Sequence, residues 1–348
     1  MILAGDIGGT HARLAFFDVA DNHFRLLAAS VFPSREYSGL DEIVNKFVAS
    51  SRWHPEAACF GVAGPVRNGQ VQTSNLPWVV ESKRLADELK LRQAMVINDL
   101  EANAWGIAAL DSKDLVSLNQ GQENQIQQNQ VQQNQVKATQ PQGSPAGNQA
   151  VIAAGTGLGE AGMYWDGSKH HIFACEGGHA DFAPRNELEI ELLRYLSARY
   201  EHVSYERIVS GPGLVNVFHF LRDTGRGQEP QWLTDEMSHA DPAPAISRAA
   251  LDGKCPLAEQ ALDLFISIYA AEAGNLALKL MATGGVYLGG GIAPKLLPKL
   301  TGTLFMKAFV SKGRMQPLLQ TMPVKVIVND NAALLGAARC AVLRAAAS

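Results

Sequence analysis

An apolar strand, a glycine–threonine turn and a second apolar strand occur twice in this chain, and that repeat restricts the fold more than any other feature. The first copy surrounds Asp6–Thr10 and the second surrounds Gly155–Gly159. A strand that returns through a tight turn makes an antiparallel hairpin. After each copy the periodicity alternates between helix and strand, the pattern of an α/β domain with a mixed sheet. The expectation is therefore two α/β domains, each opening with such a hairpin, with the two turns facing each other across a cleft. A length of 348 residues allows two domains with a core each.

In the first half, residues 2–5, 12–18 and 24–31 read as hairpin-linked strands. A helix over 40–48, a buried strand at 57–62 and a returning strand at 70–73 follow. Ser82 is the expected N-cap of a helix reaching Leu89. A strand at 95–97 stops at Asn98-Asp99, and a helix over 101–110 comes next. In the second half, strands are expected at 151–154, 161–165, 170–173, 286–288 and 324–328. Helices are expected at 187–198, 212–221 and 257–280, after Pro294, and from Asn331 to about residue 346 with Asp330 as N-cap. The expected division is a small domain over 1–112 plus 329–348 and a large domain over 113–328.

The alternation breaks once. Between Asn119 and Gln135, thirteen of seventeen residues are Asn or Gln, and a Pro-, Gly-, Ser- and Thr-containing run continues to Asn148. Such a stretch has too little apolar surface to offset the ordering of its chain, so residues 119–149 read as a flexible surface insertion in the large domain. Lys and Arg total 30 against 34 Asp and Glu, a net charge of −4. No basic excess is present for a nucleic-acid partner or an anionic membrane surface. The apolar run at 262–280 carries Asp263, Glu272, Asn275 and Lys279, so it reads as a buried or amphipathic helix and not a membrane span. The N-terminus has no signal-peptide pattern, and Cys59, Cys175, Cys255 and Cys340 form no C-x-x-C pair. A reducing, cytoplasmic location is expected.

The chemistry-bearing residues cluster at the ends of strands. In Asp6-Ile7-Gly8-Gly9-Thr10 the two bare glycines let backbone N–H groups approach an anion, and Thr10 adds a hydroxyl. Asp6 suits a Mg²⁺ ion held through water. Gly155, Thr156, Gly157 and Gly159 offer the same backbone approach in the second turn. Asp99, after a short strand, is either a proton acceptor or the N-cap of the helix that follows. Glu176 and His179 flank a glycine pair, and Glu206 precedes Ser210-Gly211-Pro212-Gly213. Carboxylates with an imidazole suit a hexose, whose ring of hydroxyls needs donors and acceptors. Gly289, Gly290 and Gly291 either expose backbone to a flat nucleoside or simply turn a strand into a helix.

Together these segments resemble the bacterial glucokinases of the non-ROK type, in the hexokinase–actin–chaperone ATPase superfamily. The resemblance runs through residues 5–14, 61–65, 73–78, 97–99, 153–159, 176–184, 202–214, 284–294 and 329–336, nearly the whole chain outside the Gln/Asn tract. It implies two ribonuclease-H-like domains around a cleft, ATP and Mg²⁺, transfer of phosphate to the 6-hydroxyl of D-glucose, and a homodimer. It assigns Asp6, Gly8, Gly9 and Thr10 to the first phosphate loop and Gly155, Thr156, Gly157 and Gly159 to the second. Gly289, Gly290 and Gly291 fall to the adenosine pocket. It makes Asp99 the base and Asn98, Asp99, Glu176, His179 and Glu206 the glucose contacts. His11 stands where that family usually has Asn. A kinase for another hexose or an aminosugar, or an actin-like ATPase or sugar sensor, would use the same paired turns; the sugar-contact set distinguishes the kinases from the last two.

Overall fold

The computed structural model describes residues 1–20, 23–73, 76–121 and 146–345; residues 122–145 of the Gln/Asn-rich segment lie outside the described residues. The chain divides into two compact units. Unit 1 is Met1–Asp114, Ile172–Ala174 and Asn329–Ser348, and unit 2 is Leu115–His171 and Cys175–Val328.

Unit 1 begins with β1 (Ile2–Ile7), β2 (His11–Ala20) and β3 (His23–Pro33), followed by α1 (Leu40–Ala49) and β4 (Ala57–Val62). Then come β5 (Gln70–Gln72), β6 (Val79–Glu81), α2 (Ser82–Leu89), β7 (Ala94–Asn98) and α3 (Asp99–Ile107). Its main sheet has the order β3-β2-β1-β4-β7. The hairpin pairs are antiparallel, whereas β1, β4 and β7 run parallel. Parallel strands are covered on both faces, which is why Ala57–Val62 and Ala94–Asn98 are buried at every position.

Unit 2 follows with β8 (Leu115–Asn119), β9 (Gln149–Ala154), β10 (Leu158–Trp165), β11 (His170–Cys175), α4 (Glu187–Ser197) and α5 (Gly211–Asp223). Next are α6 (Gln231–His239), α7 (Pro242–Leu251), α8 (Pro256–Leu280) and β12 (Gly285–Gly289). The short helices α9 (Leu297–Leu300), α10 (Thr303–Phe309) and α11 (Gln316–Thr321) lead to β13 (Val324–Ile327). The sheet order is β11-β10-β9-β12-β13-β8. Its first five strands repeat the unit 1 arrangement, with β9, β12 and β13 parallel and β8 added antiparallel at the edge. Helix α8 is the apolar run expected from the sequence; it is long and apolar enough to cross a membrane, and 78% of its most apolar window is buried inside the protein. Finally α12 (Ala332–Ala345) returns to unit 1 and packs on the sheet beside α3.

Several local expectations need correction. Ser82 is the first residue of α2 and does not cap it; Glu81 occupies the cap without a side-chain bond. The α12 helix starts after Asn331, whose carbonyl accepts the Leu335 N–H, so Asp330 lies one residue too early to be the cap. Residues 70–72 pair with β6 in a separate two-stranded sheet and not with the strand at 57–62. The second turn spans only Gly155–Gly157, because Leu158 and Gly159 already pair with Ala154 and Ala153. Helices α6 and α7 are not among the elements expected from the sequence.

Candidate active site

In unit 1 the register Asp6↔Gly61 and Gly61↔Ile97 aligns the carboxyl ends of β1, β4 and β7. Ligand sites in α/β sheets form at such ends. Arg13 lies directly opposite Asp6 in the hairpin. Its Nε and Nη2 donate to Asp6 Oδ2 at 3.1 and 2.7 Å, and its Nη1 donates to the Asp330 carbonyl at 2.7 Å. Oδ1 of Asp6 remains for a ligand. One half-buried carboxylate oxygen suits a Mg²⁺ ion that keeps most of its waters, not a caged ion. Among the described residues no group of three or more His, Cys, Asp or Glu side chains could hold a metal.

The turn after β1 is braced from inside. Gly8 donates its N–H to the His11 carbonyl at 2.9 Å. Ser34, fully buried, donates its hydroxyl to the Gly8 carbonyl and its N–H to the Thr10 carbonyl, both at 2.9 Å. Thr10 and His11 face solvent, and His11 pairs through its backbone with Pro33. Sequence reasoning missed Ser34, since a lone serine after a strand carries no signal.

Asn98 and Asp99 divide the two roles that the sequence left open. Asn98 closes β7 and caps α3, its Oδ1 accepting from the N–H groups of Leu100 at 2.9 Å and Glu101 at 3.3 Å. Its Nδ2 donates to the Gly64 carbonyl at 3.1 Å, which ties β7 to the segment after β4. Asp99 is the first helical residue, half-buried, with Oδ1 3.1 Å from the Leu100 N–H. Gly61 keeps the floor low there: a Cβ at that position would lie 2.7 Å from Ala102 Cβ and 3.6 Å from Asp99 Cα. The cap is therefore Asn98, and Asp99 presents its carboxylate in the first turn of α3, at the positive end of the helix dipole.

In unit 2, Glu176, His179 and Glu206 come together. His179 lies between two carboxylates, with Nε2 4.0 Å from Glu176 Oε2 and Nδ1 4.0 Å from Glu206 Oε1. Glu176 and the 3-10 turn Gly177–His179 follow β11, and Glu206 lies in the 3-10 turn Tyr205–Arg207. Glu206 Oε2 accepts the Leu158 N–H at 2.9 Å. That contact requires glycine at 157, because a Cβ there would sit 2.5 Å from Oε2. The second turn and Glu206 are thus one assembly. Gly155 donates to the Gly157 carbonyl at 2.8 Å, and its own carbonyl accepts from Gly211 at the start of α5, also at 2.8 Å. Ser210 caps α5 by accepting the Gly213 N–H at 3.0 Å, with proline in the first turn. Thr156 is exposed and Gly159 is half-buried in β10.

His179 and Glu206 also line a hollow of about 380 Å³ with Arg199, Tyr200, His202 and Arg207. Beside the second turn, Gly289 ends β12 and Gly290 follows it with φ +78°. A Cβ at Gly290 would lie 2.3 Å from the Ala154 carbonyl, so this glycine lets two strand ends touch. Gly290 and Gly291 expose their backbone to solvent.

With this geometry in view, the likeness to known proteins is specific. A glucokinase family model matches residues 3–344. The glucokinase of Nostoc sp. is 40% identical over 357 residues, covering 98% of each chain. That of Yersinia pestis is 34% identical over 335 residues, covering 96% of this chain and 94% of the other. The crystal structure of a glucokinase from an Antarctic psychrotroph matches with a TM-score of 0.78 and 31% identity over 98% of both chains. A ROK family glucokinase from Streptomyces griseus, in complex with glucose and AMPPNP, shares the fold with a TM-score of 0.64 at 20% identity, covering 98% of this chain and 99% of that one.

Proposed function

This chain belongs to the glucokinase family, and from that premise we propose that it transfers the γ-phosphoryl group of ATP to the 6-hydroxyl of D-glucose. The observation that carries the reading is the unit 2 cluster: two carboxylates and an imidazole within 4.0 Å steps of each other, held on two 3-10 turns. A hydroxyl-rich ligand needs such convergent donors and acceptors, and a site built this way rejects analogues that lack a hydroxyl. The Streptomyces griseus relative's complex with glucose and AMPPNP supports the same pair of substrates.

In this reading Asp99 accepts the proton of the 6-hydroxyl as that oxygen attacks the γ-phosphorus. Asn98 positions Asp99 by fixing the first turn of α3, and its second amide hydrogen serves the sugar. Glu176, His179 and Glu206 hold the remaining hydroxyls. The amides of Gly9 and Thr10 serve the phosphates, while Gly8 shapes the turn through its bond to His11. In unit 2, Gly155, Thr156 and Gly157 form the second phosphate loop, with Gly159 just inside β10, and the exposed backbone of Gly290 and Gly291 takes the adenosine, with Gly289 buried at the end of β12 beneath them. Asp6 is the residue that would hold Mg²⁺ through water, and the ion would neutralise charge on the phosphate oxygens. Units 1 and 2 would be the small and large domains, and the homodimer and the cytoplasmic location belong to the same proposal.

The test is glucose-dependent ADP formation measured in a coupled assay across a panel of hexoses and aminosugars. ADP release with glucose well above the other sugars is expected. A preference for mannose or an aminosugar would replace the substrate, and sugar-independent ATP hydrolysis would overturn the reading.

A further inference from the structure

We propose that Glu160 is a positioning residue for glucose binding: its buried carboxyl is the floor on which the Gly177–His179 turn rests, and it thereby sets Glu176 and His179. The proposal depends on the sugar-site reading above.

Glu160 lies in β10 and is only 1% exposed. A Cβ at Gly177 would fall 1.8 Å from Glu160 Oε2 and 3.4 Å from Glu160 Cβ, so the turn's backbone lies directly on this carboxyl. Oε1 has no hydrogen-bond partner among the described residues, and the one side-chain hydrogen bond of the carboxyl is to another buried acid, Glu272. A buried acid in that state is costly unless it has a task. Nothing in the proposed chemistry uses it, since the side chain is sealed beneath the turn.

The surroundings extend the floor to the other sugar-contact turn. From α8, Glu272 is fully buried and faces Glu160, and Lys279 and Tyr269 bear on the same carboxyl. Cys175 at the end of β11 faces it too, and its thiol accepts the Gly177 N–H. Glu272 accepts from Asn275 Nδ2 at 2.7 Å and lies 3.5 Å from Lys279 Nζ. Asn275 Nδ2 also donates to the Tyr205 hydroxyl at 3.0 Å, and its amide oxygen accepts from Lys312. Tyr205 immediately precedes Glu206. One buried polar network therefore underlies both turns that carry Glu176, His179 and Glu206. Burial, reinforced by the Glu272 carboxylate, pushes the Glu160 carboxyl up to about 8. At neutral pH the Glu160 carboxyl therefore keeps its proton. Ionising Glu160 places a buried negative charge against the backbone of the turn, and the turn must move.

The experiment is the pH dependence of the glucose KM, from about pH 6 to about pH 10, for wild type, Glu160→Gln and Glu160→Ala. Wild type should show a several-fold rise in glucose KM above about pH 8 with the ATP KM unmoved. Glu160→Gln, permanently neutral and of the same shape, should keep the neutral-pH KM and lose the alkaline rise. Glu160→Ala should raise the glucose KM about tenfold at neutral pH with kcat changed less than about threefold, the signature of lost positioning rather than lost chemistry. A wild-type KM in Glu160→Ala, or the same alkaline rise in wild type and Glu160→Gln, overturns the proposal. If Glu160→Ala does not fold, the comparison of wild type with Glu160→Gln decides. Glu176→Gln and Glu206→Gln separate the two levels: a glucose KM indifferent to both sinks the sugar-site reading, whereas a response there without one at Glu160 sinks the positioning role alone.

Discussion

The first and second hairpin turns occupy equivalent places in two sheets of the same strand order, yet they are built on opposite principles. The turn of unit 1 is charged and tied by side chains: Arg13 grips Asp6 and the Asp330 carbonyl, and Ser34 bonds the turn from below. The turn of unit 2 carries no charge of its own. The residues paired where unit 1 has Asp6 and Arg13 are Ala153 and Gly159, and its carboxylate, Glu206, is borrowed from a distant loop through the Leu158 N–H. A charged turn can hold a cation and a phosphate group, while a bare turn can press its backbone against a ligand and a carboxylate at once. Under the proposed function the two copies of the scaffold would serve different halves of one reaction.

The sharpest way to break this division is to test whether chemistry and sugar binding separate between the units. Asp99→Ala should lower turnover about 10³-fold, the usual worth of a general base, while glucose binding measured by calorimetry persists. Near-wild-type turnover in that variant, or loss of glucose binding instead, would dissolve the distinction. A smaller effect compares the glycines. Gly157→Ala should raise the glucose KM by about tenfold or more, because its Cβ would stand 2.5 Å from Glu206 Oε2 and must displace the carboxylate. Gly8→Ala meets only the His11 carbonyl at 3.3 Å, and should change either KM less than about threefold. Equal responses would mean that the turns are not built differently.

Removing Arg13 tests the charged turn. Arg13→Ala breaks three hydrogen bonds, but the side chain is 36% exposed, so the expected loss is about 1–2 kcal/mol in a denaturant titration. No change would show that Ser34 alone suffices. The last test is a slope. The Glu160 carboxyl is raised in the folded state, from 4.5 to about 8. Its contribution to stability is therefore complete below the unfolded value and is lost as pH rises through the folded one. Wild-type stability relative to Glu160→Gln should fall from about pH 4.5 to about pH 8 and then level. A flat difference across that window would remove the buried acid from the account of unit 2.

Much of the fold was legible along the chain. Strand and helix periodicity located most elements of both sheets, and the Gly-rich turns marked the strand ends where Asp6, Asp99 and Gly155 lie. Readings stayed open where two local signals competed. Asp99 reads as a proton acceptor or as the cap of the next helix, and only the bonds from Leu100 and Glu101 give the cap to Asn98. Gly289–Gly291 reads as a ligand platform or a packing device; contact with Ala154 makes Gly290 a packing residue while its surface stays exposed.

By itself the sequence determined the duplicated strand–turn–strand frame, the identity of the turn residues and the kinship of the chain, because each rests on neighbours a few residues apart. Tertiary structure alone decided that Ser34 braces a turn 26 residues away, that Glu206 reaches Leu158 across 48 residues, and that Glu160 lies against Glu272 beneath Gly177. Those contacts depend on how separate elements pack, and packing is set by shape and burial summed over a whole core, which no local pattern encodes.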